Sequence, residues 1–287
     1  MRPLHLGAAL VAVFVWGLSF SVAKIGVGQI PPILLMGMRL ALVALILARF
    51  LRPPGKALPH IVGLSITMGV LHYGLMYTGL KGVDAGAAAI AFQLMVPFSA
   101  VLAALFFRER LSLLQIGGMA VAFGGVYLLS GEPRIAVSPV PFLLVVAGAL
   151  MWAIGNIQVK MMESIDVMNL NAWVSLLGAP QLLLASLVLE NGQIEALSGA
   201  DWRGWGALAY MAVASTILGH GLWYYLLREN PVNRVAPFNL LIPVAAVMLA
   251  VPILGESLTT RLVIGGSLTI AGVALIQFTR MPDSRPG

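Results

Sequence analysis

The residues with the most chemical potential in this chain are a few rings and amides set inside long apolar runs. Trp16 and Trp152 fall near the middle of such runs, with Ser19 about one turn after the first and Asn156 one turn after the second. An indole with a hydroxyl or amide beside it can stack on a substrate and hydrogen-bond to it. His220, Trp223 and Tyr224 stand at i, i+3 and i+4, so on a helix they share one face. His72 with Tyr73 and Tyr77 makes a similar group earlier in the chain. Gln93 and Asn239 each precede a proline, Pro97 and Pro243, by four residues. An amide beside a proline-broken helix is placed to hold the charged head of a zwitterion, and each proline is a candidate hinge as well as a kink. Belts of interfacial Trp and Tyr, and hydrogen bonds between helices, are the alternative uses of these side chains. The pattern suggests recognition rather than bond breaking. Paired mid-span aspartates, a His-Glu-x-x-His helix and a Ser/His couple are all missing, so no catalytic residue and no enzyme is expected. Cysteine is absent, which excludes disulfides, thiolate metal sites and cysteine nucleophiles. Neither metal nor cofactor is expected, and without a P-loop the chain does not itself hydrolyse ATP.

What must position these groups follows from composition. Of 287 residues, 60% are hydrophobic and 10% charged, against about 25% charged in soluble proteins. Ten apolar blocks of membrane-crossing length can be marked, near 4–23, 33–51, 59–79, 84–106, 113–130, 141–159, 168–190, 204–226, 233–254 and 262–280. The expected class is an all-α integral membrane protein. Arg2, an apolar run and Ser21-Val22-Ala23 imitate a cleaved leader, but the recurrence of Trp16–Lys24 at Trp152–Lys160 argues for a retained span. Basic residues near the helix ends divide eleven to five: Arg2, Arg49, Arg52, Lys56, Arg108, Arg110, Lys160, Arg228, Arg234, Arg280 and Arg285 against Lys24, Lys81, Arg134, Arg203 and Arg261. By the positive-inside rule both termini are expected in the cytoplasm. The basic residues form no stripe, so no nucleic-acid partner is expected.

The chain also reads as written twice. Trp16–Lys24 matches Trp152–Lys160 at an offset of 136, and His72 matches His220 at 148. Pro97 matches Pro243, Glu109 matches Glu256, and Gly117, Gly118 and Gly124 match Gly265, Gly266 and Gly272, at offsets of 146 to 148. The halves are expected at 1–135 and 136–287. Five spans is an odd number, so the second half would be inverted, giving ten transmembrane helices in two inverted five-helix repeats. That is an architecture of secondary transporters. Gly117 with Gly124, Gly118 with Gly125, and Gly265 with Gly272 are expected to pack helices closely. Arg39, the one cation within a span, would either tie helices together or capture a substrate carboxylate. Lys24 and Lys160 are expected to end their helices as anchors. Glu109 and Glu256 are expected to cap helices or form ion pairs.

The Trp16-Gly17-Leu18-Ser19-Phe20 start, Arg39 in the second span, Pro97 ahead of Glu109-Arg110-Leu111 and the glycine-rich fifth span together resemble the drug/metabolite transporter superfamily. The chain is most similar to its ten-helix EamA-type members, over about residues 5 to 280. The resemblance implies a multi-pass exporter of amino acids or related metabolites in a bacterial inner membrane. Its partners would be the lipid bilayer and a small-molecule substrate, and it is compatible with a monomer. The small four-helix multidrug exporters carry a Glu in their first span; this chain carries none there, which argues against that form of drug antiport. A drug or nucleotide-sugar carrier of the same fold remains the alternative.

Overall fold

The computed structural model describes residues 2–162 and 166–279. Arg280 and Arg285, which entered the charge division, lie outside them. The described residues hold helices and turns and no strand. Among the described residues, nine helices are long and apolar enough to cross a bilayer. They are α1 (Pro3–Gln29), α2 (Pro32–Phe50), α3 (Gly55–Gly82), α4 (Ala85–Phe107), α5 (Leu113–Ser130), α6 (Val140–Met161), α7 (Val167–Leu189), α9 (Ala236–Leu254) and α10 (Thr260–Thr279). The eighth expected span is helical throughout 202–229, here α8, but it is not among those nine. Its His220, Trp223, Tyr224 and Tyr225 dilute the apolar run. Nine of the ten expected spans are thus among these helices, and α8 has the length of the tenth but a less apolar sequence.

Large aliphatic and aromatic side chains such as Leu105, Phe106, Leu184, Leu187 and Val188 are exposed. In water such a surface would aggregate; around a bundle of spanning helices it is the lipid-facing side. Inside, the two halves pack against each other with their roles exchanged. α1 lies against α8 and α9, while α6 lies against α3 and α4; α2 pairs with α7, and α5 with α10.

The α5–α10 pair shows why small residues stand where they do. A Cβ added at Gly125 would come within 2.5 Å of the Gly265 carbonyl oxygen, and one at Gly272 within 2.4 Å of the Gly118 oxygen. The backbones touch, as in small-residue membrane contacts. Gly117 and Gly124 meet nothing within 4 Å, so the expectation that they also pack is corrected. They lie on the other face of the same helix.

One further expectation changes. α1 continues five residues past Lys24 to Gln29, so Lys24 is an internal residue rather than an end anchor. The ninth span is helical from Val232, close to the expected start at 233, and passes through a 3-10 turn at Ala236–Leu240 before its long helix.

Turns are tied by polar side chains. Asp201 caps α8 by accepting from Arg203 N–H at 2.8 Å, and Gln29 Nε2 donates to the same carboxylate at 2.8 Å while Gln29 Oε1 accepts from Asp201 N–H. The Gln29 amide, then the Arg203 amide, hold the Asp201 carboxyl below its usual range. A depressed carboxyl stabilises the folded state above its unfolded pKa, near 4, and loses that contribution as pH falls through the lowered value. Asp201→Asn is thus expected to melt slightly below the wild type at neutral pH and to converge with it in acid. Parallel melting curves at every pH would remove this cap from the account.

Candidate functional site

Each half contributes one interrupted helix and one ring cluster. In α3 the backbone is π-helical over Ser65–His72, and in α8 over Tyr210–Gly219. Both wide turns run up to the matched histidines, His72 and His220. π-Segments of this kind insert a residue and re-aim the side chains that follow.

His72 is buried, and its Nδ1 lies 2.9 Å from the Gly148 carbonyl oxygen of α6. A carbonyl only accepts, so Nδ1 carries a proton, and in the neutral ring Nε2 is then the acceptor. The imidazole meets Trp152 edge-on at 4.9 Å and also contacts Phe92 at 5.5 Å and Tyr73 at 4.9 Å. In the other half Trp16 meets His220 edge-on at 5.4 Å and Trp223 at 5.4 Å, and His220 contacts Tyr224. Each histidine therefore faces the tryptophan of the opposite half. A Cβ at Gly219 would strike the Trp16 indole at 2.6 Å, so only glycine there leaves room for this pairing. The symmetry is broken in the hydrogen bonds. Trp16 Nε1 donates to Ser215 O in α8 at 3.1 Å, whereas His220 Nδ1 turns to Thr216 O in its own helix. The expected interhelical bond exists for His72 and not for His220.

A cavity of about 60 Å³ opens beside the first cluster, lined by Ser19, Phe20, His72, Met76, Tyr77 and Phe92 among others. Of the candidate residues, Ser19, His72 and Tyr77 meet there, and Tyr73 and Trp152 support that wall from behind through their rings. Trp16, Trp223, Tyr224 and His220 form the second group. Gln93 is buried at the break in α4, and Asn239 sits in the 3-10 turn that opens α9. Asn156 is exposed and does not line the cavity.

A local break precedes each of Pro97 and Pro243. α4 is interrupted at Gln93 and Leu94, and the Gln93 carbonyl that Pro97 cannot bond accepts instead from Val96 N–H at 3.0 Å. The matching turn Ala236–Leu240 precedes Pro243.

Arg39 was the ambiguous residue of the sequence, and the structure gives it a specific place. It is 4% exposed, with Nη1 donating to Tyr77 Oη at 2.9 Å and Nη2 to Thr216 Oγ1 at 3.0 Å. Its charge lies over the Tyr73 ring at 5.0 Å. It thus links α2, α3 and α8, and through Tyr77 it reaches the cavity wall.

The ends of the bundle differ. Glu256, after the left-handed Gly255, accepts from Ala85 and Gly86 N–H at 2.5 and 3.0 Å and so caps α4 from a distance. Burial, more than any other influence, holds this carboxyl above its usual range. At the same end Lys24 Nζ donates to the carbonyls of Leu80, Lys81 and Val83 at 2.7–3.0 Å, and Glu190 accepts from Ile33 and Leu34 N–H at 2.9 Å. The matched pair lies at the opposite end. Lys160 donates directly to Glu109 at 2.5 Å, and both are substantially exposed.

Comparison with known proteins places this geometry among membrane carriers. The model of the EamA-like transporter family matches residues 4–131 and again 140–278. Over 282 residues the chain is 36% identical to a probable amino-acid metabolite efflux pump of Salmonella typhimurium, covering 94% of this chain and 93% of that one. A protein of the same name in Escherichia coli is 34% identical over 279 residues, at 94% and 93% coverage. A crystal structure at 17% identity superposes with a TM-score of 0.64 over 98% of this chain and 100% of its own, a likeness of fold.

Proposed function

The chain belongs to the EamA-like transporter family, and from that premise we propose that it exports amino acids or related small metabolites across a bacterial inner membrane by alternating access. It is a multi-pass membrane transporter and not an enzyme. The names of its relatives in Salmonella and Escherichia favour amino-acid metabolites as cargo.

The observation that carries the mechanism is the crossed pairing, His72 on Trp152 and His220 on Trp16. Two halves related by inversion, 1–135 and 136–287, can exchange conformations, and a site built across them is then presented to either side. α8 would complete the second half as the tenth span. With both termini in the cytoplasm, Lys24, Glu190 and Glu256 lie at the outer end, and Lys160 with Glu109 at the inner end. Opening outward would require α1, α3 and the start of α4 to separate where Lys24 and Glu256 now join them. The kinks before Pro97 and Pro243 are suitable hinges. Trp16, Ser19, His72, Tyr73, Tyr77, Gln93, Trp152, Asn156, His220, Trp223, Tyr224 and Asn239 are the proposed substrate contacts, reached in different states of the cycle.

Counterflow in proteoliposomes tests this reading. Labelled amino acid outside should accumulate transiently when unlabelled amino acid is trapped inside, without any imposed gradient. A carrier with alternating access gives that overshoot and an open channel cannot. His220→Ala is expected to reduce it about 2- to 12-fold, the effect of losing one ring contact. Simple equilibration with no overshoot would overturn alternating access.

A further inference from the structure

We propose that Arg39 is the seat of the substrate's carboxylate, so that the cargo is a carboxylate-bearing molecule, best an α-amino acid with an apolar side chain. The inference rests on the transporter reading above and gives its site a charge rule.

A guanidinium stays protonated in any protein environment, so Arg39 remains a full positive charge inside a membrane bundle. A cation so placed is normally matched by a carboxylate. Among the described residues no acidic side chain bonds to Arg39; every Asp and Glu there belongs to a turn or a helix end. What surrounds it is neutral: the hydroxyls of Tyr77 and Thr216, the Met36 sulfur at 3.9 Å and the ring faces of Tyr73 and Tyr77. Its Nε is buried with no hydrogen-bond partner. Neutral dipoles and ring faces moderate a buried charge without cancelling it. The group with the right charge and a two-oxygen shape for the guanidinium fork is a carboxylate.

The route to Arg39 is Tyr77, which both accepts from the guanidinium and lines the cavity. A carboxylate entering there would take over the hydrogen bond now made by the Tyr77 hydroxyl. The cavity as it stands has room for a few waters, so the exchange must also move the Tyr77 ring. The remaining walls suit the rest of an amino acid. His72 presents Nε2 as an acceptor for an ammonium, because Nδ1 is committed to Gly148 O. Phe20, Met76 and Phe92 present apolar surface to a side chain. A structural tie would carry its counter-charge within the protein, whereas a seat leaves that place to the anion of the cargo.

Leucine and leucinamide are the probes, since they differ in the carboxylate alone. Wild-type protein should give leucine counterflow, and leucinamide should compete about 10- to 100-fold more weakly, the range of a lost charge-assisted pair. Arg39→Met should lose leucine counterflow while its unliganded melting temperature stays level or rises, because an unmatched buried charge has been removed. Arg39→Lys should retain transport with a raised KM. Equal competition by leucinamide, or a wild-type KM in Arg39→Met, overturns the seat and leaves the transporter reading in place. Leucine binding is read separately by thermal shift in detergent. A shift in wild type that is absent in Arg39→Met, from a protein without counterflow, supports the seat and overturns the transporter reading. A large fall in the unliganded melting temperature of Arg39→Met, with leucine affinity of Arg39→Lys unchanged, overturns the seat in favour of a tie.

Discussion

Gly125→Leu is expected to yield little monodisperse protein in detergent, and what survives is expected to melt roughly 5–10 °C lower than wild type. The reason is the distance between α5 and α10. A Cβ at position 125 would fall 2.4 Å from Thr269 Oγ1, 2.5 Å from Gly265 O and 2.6 Å from Thr269 N. Two of those three atoms are backbone, so no rotamer change relieves the clash and the helices must part. Overpacking of this sort costs about 1–3 kcal/mol and sometimes more. The fitting control is the adjacent residue. Gly124 has nothing within 4 Å, so Gly124→Leu points its side chain away from α10 and should express and melt nearly as wild type. Equal damage from both substitutions would mean that the helix itself, rather than its contact with α10, tolerates no leucine there, and the packing account would fall.

Trp152→Ala is expected to lower counterflow by at least about tenfold, and Trp16→Ala to act likewise through the second cluster. Trp152 holds the His72 imidazole edge-on at 4.9 Å and also meets Phe92 at 5.9 Å. Both partners line the cavity. Without the indole, His72 keeps its bond to Gly148 O and its contacts with Phe92 and Tyr73 but loses one ring wall, and a void opens beside it. Trp→Ala in a packed setting costs about 3–5 kcal/mol, so folding must be checked beside activity. Trp152→Phe keeps a ring in contact with His72 and is expected to recover most of the rate. Wild-type counterflow from well-folded Trp152→Ala would remove this cluster from the transport path.

The aromatic groups, the prolines and the doubled landmarks were legible in the sequence because each depends on spacing along one helix. His220, Trp223 and Tyr224 do share a group, and the breaks before Pro97 and Pro243 fall where a missing N–H must fall. Arg39 was harder. Its position in a span marks it as costly, yet its use depends on what two other helices bring to it. Tyr77 comes from α3 and Thr216 from α8, 38 and 177 residues away. The absence of any acid near it is likewise a property of packing. Glu256 was read as a cap or an ion partner of a nearby residue, but its cap is made on Ala85 and Gly86, some 170 residues distant. Asn156 shared a helix with Trp152 and was read with it, but one turn is enough to carry it to the exposed side.

The sequence by itself determined the solvent of this protein and hence its class. Continuous apolar runs have no stable home in water, and in lipid they must be helices, because only helices satisfy their own backbone groups. It also carries the expectation that whatever chemistry occurs is recognition by rings, amides and one cation. Only the tertiary structure decided which glycine face touches another helix, that each histidine lies on the other half's tryptophan, and that Arg39 is encircled by neutral groups. Those are questions of rotation about each helix axis and of which helices become neighbours. Lipid is as apolar as the helix surfaces, so hydropathy is indifferent to them. Close packing, hydrogen bonds and the placement of a single charge settle them, and these act between residues far apart in the chain.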